Sequence, residues 1–410
     1  MLITNIKHLT NVRPNTGRLR GSQLAHLPVI ENAYLKIDNG RIAEFGRMED
    51  LHHFGDYHIV DAEGRSVLPA WCDSHSHLVF AASREAEFID KLKGLSYAEI
   101  AAKGGGILNS ARKLAETAED TLFEQAKERL AQLIRLGTGA LEIKSGYGLS
   151  TEAELKMLRV IRRLKDWAPI PVRATFLGAH AVPPEYKGHR RAYIDLILQE
   201  MLPVIGQENL ADYIDVFCEE GFFSQAETEE ICEAGKAFGL KPKIHANQLN
   251  ISGGVQAGYR TGAVSVDHLE TISDEEIRIL SLPDAPMATL LPTAAYFLRM
   301  GFPPARRLIE NNAAVALASD FNPGSSPSGN MNLVVSMSCI QMKMLPEEAI
   351  NAATINGAYA MELEEEVGSI TAGKRANLIL TKKIPSIDYL PYSFGENLID
   401  KIIINGEFYE

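Results

Sequence analysis

Apolar residues in the middle of the chain fall in short continuous runs. Each run ends in polar residues, and a segment of helical period follows. Eight runs are read: Ser66–Asp73, Gly139–Lys144, Val172–Ala179, Ile214–Glu219, Pro242–His245, Ala263–His268, Ala285–Leu291 and Ala314–Asp320. Helix-like stretches lie between them, among them Thr151–Trp167, Glu227–Phe238 and Pro346–Met361. Alternation of strand and helix predicts parallel strands. Runs without polar alternation predict burial on both faces. Eight such beats predict a closed (β/α)8 barrel of the TIM type. The competing architecture is an open, doubly wound sheet, whose mark is a glycine-rich loop just after the first strand. Gly104-Gly105-Gly106 comes well past the first run, in a long loop.

The two ends carry a different pattern. Ala33–Ile37 and Ile42–Phe45 are strand-like and are split by Asp38-Asn39-Gly40, a hairpin signal. Asn377–Thr381 and Lys401–Asn405 are short apolar strands with turn residues around them. The simple alternative is two unrelated tails. The reading adopted is a small β-sandwich domain formed from both termini, residues 1–65 plus 366–410, beside a catalytic barrel of residues 66–365.

Composition narrows the class. Over 410 residues, 46 % hydrophobic and 23 % charged content is ordinary for a soluble enzyme. A formal net charge of −12 argues against nucleic acid or an anionic membrane as partner. It leaves room for a small anionic substrate, because one local Arg outweighs a distant average. The four cysteines (Cys72, Cys218, Cys232 and Cys339) are scattered, as in a reducing cytoplasm. Met1–His8 is too short for a signal peptide. No apolar run approaches the roughly 18 residues of a membrane span. A cytoplasmic protein is expected.

In such barrels chemistry sits at the carboxyl ends of the strands. Five of the eleven histidines fall there: His75 and His77 after the first run, His180 after the third, His245 on the fifth and His268 on the sixth. Glu142 and Lys144 close the second run, Glu219 the fourth and Asp320 the eighth. In an extended segment, residues two apart point to one side, so His75 and His77 can share one ion. Alone, that pair is a weak signal, and two ordinary polar histidines would look the same. Asp320 ends an apolar strand, where a bare buried carboxylate is costly; a cation, an Arg or a helix cap would each satisfy it. His75, His77, His245 and Asp320 make a four-ligand set suited to Zn2+ or Fe2+. A fifth protein ligand would crowd out water, so His268 is assigned to contact with water or substrate oxygen.

Asp73-Ser74-His75-Ser76-His77-Leu78, entered through Leu68-Pro69-Ala70-Trp71, resembles the first-strand signature of the amidohydrolase superfamily. Longer blocks resemble the imidazolonepropionase family within it. They are Ser83–Phe88, Lys103–Ile107, Glu142–Leu149, Phe176–Pro184, His245–Leu249 and Ser319–Ser326. The resemblance implies hydrolysis of the ring amide of 4-imidazolone-5-propanoate to N-formimidoyl-L-glutamate in histidine breakdown. It implies one divalent metal per chain and a homodimer. It also implies substrate contacts from Arg84, Tyr147, His180 and Gln248. Asn322, Gly324 and Ser325 then form the loop that holds the amino-acid portion.

In the implied mechanism Asp320 takes a proton from water and returns it to the leaving nitrogen. His268 orients the attack, and His180 donates a hydrogen bond to the carbonyl oxygen. Arg84 offers a bidentate fork to the substrate carboxylate. Ser325 stands where Thr is usual, Asn247 where Asp is common, and Gln248 where some relatives place Glu. Gln cannot act as a base, so the base lies between Asp320 and His268. Some superfamily members use a modified Lys to bridge two metals. Lys144, within Glu-Ile-Lys-Ser-Gly, is expected not to. The alternatives are a deaminase of a small heterocycle on the same scaffold and, more remotely, a non-catalytic barrel.

Overall fold

The structure is a computed structural model and describes residues 1–410 apart from 15–16, 54, 96–98, 100–102 and 104. Gly104 of the glycine run therefore lies outside the described residues. Eight parallel strands follow one another in chain order: Trp71–Asp73, Thr138–Lys144, Val172–Ala179, Tyr213–Cys218, Lys241–Ala246, Ser265–His268, Met287–Leu290 and Val315–Leu317. The last closes on the first just beyond the strand ends. Asp320 N donates to His75 O at 3.0 Å, and His77 N donates to Phe321 O at 2.8 Å. Ser76 and Phe321 pair in parallel. The seam of the barrel is thus made by the two segments that carry His75, His77 and Asp320.

Apart from Lys241 and Arg173 near two strand starts, the strands are buried along their length, as their apolar runs require. Their outward residues, such as Ile143, Val216, Ile244, Val266, Leu290 and Leu317, pack in the main core with the helices. Inward positions are a different matter. Glu142 and Lys144, Lys243 and His245, and Ser265 and Asp267 are pairs two residues apart, and all six are buried. The barrel is apolar outside and polar inside at its carboxyl end.

Both ends of the chain meet in a second sheet of eight strands. Its order is Glu407–Tyr409, Ile399–Ile404, Leu378–Thr381, Val67–Pro69, Leu2–Thr10, Val29–Asp38 and Arg41–Arg47, with Ile59–Asp61 also paired to Leu2–Thr10. Asn39 and Gly40 turn the hairpin with φ of 50° and 76°, as a tight two-residue turn requires. Ile3, Ile6, Leu9, Leu35, Ile42, Val67, Leu378 and Ile403 form its own core.

Two expectations need correction. Ser66–Asp73, read as one strand, is two. Val67–Pro69 pairs with the terminal sheet and Trp71–Asp73 with the barrel. Between them Ala70 N donates to Asn377 O. The helix expected over Pro346–Met361 breaks at Thr354 (φ −121°, ψ −90°) into Pro346–Ala353 and Ile355–Tyr359. The Thr354 hydroxyl donates to Ile350 O and accepts from Asn11 Nδ2, which ties the break to the amino-terminal segment. Among the described residues no helix is long and apolar enough to cross a membrane.

Candidate metal centre and active site

His75, His77 and His245 are buried, and one ring nitrogen of each lies within 4.8 Å of the others. Asp320 Oδ1 is 3.5 Å from Nε2 of both His75 and His77. His75 Nδ1 donates to Asp267 Oδ2 at 2.6 Å, and His77 Nδ1 faces Ser145 O at 3.4 Å. Those bonds leave Nε2 of each ring with a lone pair directed at the cluster. His75 Nε2 is buried without a hydrogen-bond partner, which is costly unless something accepts its lone pair. Burial, with nearby histidines and Lys144, holds both rings well below the usual imidazole range, so they are neutral. Three imidazoles and one carboxylate fit a divalent transition metal.

A buried ionic layer lies beneath. Lys144 Nζ donates to Glu142 Oε1 at 2.7 Å and Asp215 Oδ2 at 2.8 Å, and lies 3.5 Å from Asp267 Oδ2. Lys243 pairs with the other oxygen of Glu142. Thr175 and Ser265 hydroxyls donate to Glu142 and Asp267. Asp267 holds His75. Asp215 accepts from the backbone N–H of His245 at 3.1 Å, and its Oδ2 lies 3.0 Å from His245 Nδ1 without hydrogen-bond geometry. Burial by itself lowers the Lys144 ammonium; Asp215, Glu142 and Asp267 outweigh that, raise it and keep it charged. Carboxylates behind metal-facing imidazoles fix ring orientation and raise basicity.

The strand-end residues leave the barrel with strained backbones. His268 (φ 87°), Leu269 (φ 67°), Asp320 (φ 50°) and Asn247 (φ 58°) are all left-handed, at about 1–3 kcal/mol each. His268 Nδ1 pairs with Glu270 Oε1 at 3.2 Å. Burial alone would lower His268, but Glu270, Asp320 and Asp267 push it up to about 9. Burial pushes the Asp320 carboxyl up to about 6 against the pull of His268 and His245.

Around this cluster stand most of the remaining predicted residues. The rings of His180 and His77 stack at 5.6 Å, and Tyr147 lies 5.7 Å from His180. His180 Nδ1 donates to Gly146 O at 2.9 Å, and burial lowers its pKa to about 3. Its Nε2 therefore carries a lone pair. The expected hydrogen bond from His180 to a carbonyl oxygen does not fit, because its one N–H is committed to Gly146. Arg84 lies against Gly324, where a Cβ would collide with the guanidinium.

Asn322 Oδ1 accepts from Gly324 N and Ser325 N, both at 2.8 Å, while Nδ2 donates to Asp320 O and Ser325 Oγ. Its amide thus builds the loop, leaving Gly324 and the Ser325 hydroxyl, 3.4 Å from Asp320 Oδ2, on it. Gln248 is half-buried beyond His245, and among the described residues no hydrogen bond joins its side chain to the cluster. Glu219 accepts from Leu249 N, Asn250 N and the Ser252 hydroxyl, and so anchors that loop. Sequence reasoning passed over Asp215, Lys243 and Asp267. Their signal was a charge inside an otherwise apolar run.

A parallel barrel with such a cluster at its strand ends defines the amidohydrolase class, and a family model described as Amidohydrolase family matches residues 66–408. The chain is 56 % identical to the imidazolonepropionase of Flavobacterium johnsoniae, with 99 % of each chain covered. It is 54 % identical to that of Christiangramia forsetii, again with 99 % of each covered. It belongs to the imidazolonepropionase family of the amidohydrolases. Among solved structures, 5-methylcytosine deaminase from Klebsiella pneumoniae aligns with a TM-score of 0.74 at 15 % identity, covering 100 % of this chain and 97 % of that one. Guanine deaminase from E. coli aligns at 0.72 and 14 %, covering 100 % and 98 %. At those identities the likeness is one of fold.

Proposed function

We propose that the protein hydrolyses the ring C–N bond of 4-imidazolone-5-propanoate to N-formimidoyl-L-glutamate, in histidine degradation. The observation that carries this is a buried three-imidazole, one-carboxylate cluster, with Arg84 against Gly324 of the loop that follows Asp320, in a chain 56 % identical to an imidazolonepropionase along its length. His75, His77, His245 and Asp320 would hold one divalent ion, Zn2+ or Fe2+. When bound, it supplies Lewis acidity to the carbonyl and to water.

The chain's own residues do the rest. Arg84, beside the side-chain-free Gly324, takes the propanoate carboxylate as a bidentate pair. Ser325 and Gly324 complete that end of the site, on a loop that Asn322 shapes. Tyr147 flanks the ring. His180 accepts a ring N–H at Nε2 and thereby orients the substrate. Gln248 closes the fifth-strand side. Asp320 takes the proton of the attacking water and returns it to the ring nitrogen as the C–N bond breaks. His268, kept protonated by Glu270, offers Nε2–H to the charge developing on the carbonyl oxygen. The reading includes a homodimer, which the family resemblance implies, and a cytoplasmic location, with which the four free thiols agree.

The assay follows the product. Purified protein given freshly made 4-imidazolone-5-propanoate is expected to form N-formimidoyl-L-glutamate without ammonia. Ammonia released in step with substrate loss would assign a deaminase instead and overturn the reading.

A further inference from the structure

Glu154 stands in the first turn of the helix Thr151–Trp167, whose N-cap is Ser150. Acidic residues there are usually solvated. Glu154 is instead completely buried. Its carboxylate turns back over the loop Ser145–Leu149. Oε1 accepts from Gly148 N at 2.6 Å and Leu149 N at 3.0 Å, and Oε2 accepts from Gly146 N at 3.1 Å. Among the described residues no Lys or Arg forms an ion pair with Glu154. Backbone donors do the work a counter-ion would otherwise do, because a bare buried carboxylate is costly.

The loop gathered in this way touches three residues of the site. Gly146 O fixes the tautomer and tilt of His180. Tyr147 sits 5.7 Å from His180 and 5.8 Å from His77, ring to ring. Ser145 O faces His77 Nδ1, and Ser145 Oγ accepts from Leu177 N at 2.9 Å, which ties the loop to the third strand. The fit is tight. Gly146 has a φ of 109°, and a Cβ there would lie 2.8 Å from His180 Nδ1. At its start the loop is also anchored by Ser145 N, which donates to Thr175 O at 2.9 Å; from Gly146 to Leu149 the Glu154 carboxylate takes three of the backbone amides.

We propose that Glu154 is a positioning residue for substrate binding: its buried carboxylate gathers the amides of Gly146, Gly148 and Leu149 and so aims Tyr147 and His180 at the substrate ring. The proposal rests on the reading of the site as an imidazolone hydrolase. Glu154→Gln keeps the volume but sets an NH2 group against backbone donors. It is expected to lower kcat/KM by about 10- to 100-fold, mainly through KM, as small misplacements do. Metal content and the pH profile stay those of the parent. Combined with His180→Ala, it adds less than its own loss in the parent, because part of its effect passes through His180.

A purely structural role would lower Tm and leave kcat/KM intact below it; that result overturns the proposal, as does full additivity with His180→Ala. If Glu154→Gln does not fold, Glu154→Asp, which keeps the charge but shortens the reach, is measured by the same criteria. A crystal structure of the variant decides independently of turnover. Displacement of residues 145–149 and of the His180 ring supports the proposal, and an unmoved loop contradicts it. Should the parent itself leave imidazolone propanoate untouched, the site reading fails, while the loop displacement still judges Glu154.

Discussion

Asp320→Asn is expected to lower kcat on 4-imidazolone-5-propanoate by about 10³-fold, the middle of the range for loss of a general acid–base group. Asp320 is buried at the barrel seam and held in a left-handed backbone, with Oδ1 3.5 Å from Nε2 of His75 and of His77. Without an ion, burial raises its carboxyl above the usual carboxylate range, which favours a group that takes a proton and gives it back. Asparagine preserves the shape and one oxygen but cannot carry the proton. KM should therefore change far less than kcat, since Arg84, Tyr147 and His180 are untouched. Steady-state kinetics and metal analysis on the same sample check this. A near-normal kcat would remove Asp320 as the proton carrier.

Lys144→Met is expected to cost stability rather than to alter a bridging ligand. Glu142, Asp215 and Asp267 bring three buried negative charges against the two positive charges of Lys144 and Lys243, a sum of −1. Methionine fits the volume but takes the sum to −2 in a fully buried layer. Removing one partner of a buried ion pair costs about 3–5 kcal/mol, because the other partner stays behind uncompensated. The loss exceeds what any exposed pair could contribute, at roughly 0–1 kcal/mol. Urea unfolding of the metal-free protein measures it. Stability equal to the parent would mean that the layer carries no such load.

Lys144 is expected to remain an unmodified ammonium in the parent, because all three of its carboxylate neighbours hold it as a cation. The mass of the intact protein checks that point.

The barrel was legible because its strands are continuous apolar runs that alternate with segments of helical period, and Thr151–Trp167 appears with the bounds its periodicity suggests. The break within Ser66–Asp73 was not. Both sheets bury that run, so hydrophobicity does not change where the chain passes from one to the other. The strand-end histidines could be found because imidazoles seldom fall at five such positions by chance. Their supporting carboxylates were hidden because partners are chosen across the barrel. Asp267 is 192 residues from His75, and Asp215 is 71 from Lys144. A charge two positions from another within an apolar run, as in Glu142 and Lys144, was the trace available. The tautomer of His180 was beyond sequence reasoning, since it depends on a carbonyl presented by a loop that Glu154 holds.

The central claim is that one ion in the His75, His77, His245 and Asp320 cluster supports hydrolysis of the imidazolone ring. Titration of metal-free protein with Zn2+ or Fe2+, with loss of substrate ultraviolet absorbance as the readout, tests it most directly. The account predicts no turnover without metal and a linear rise that breaks at one equivalent per chain. Full activity after chelation, or a break at two equivalents, would contradict it.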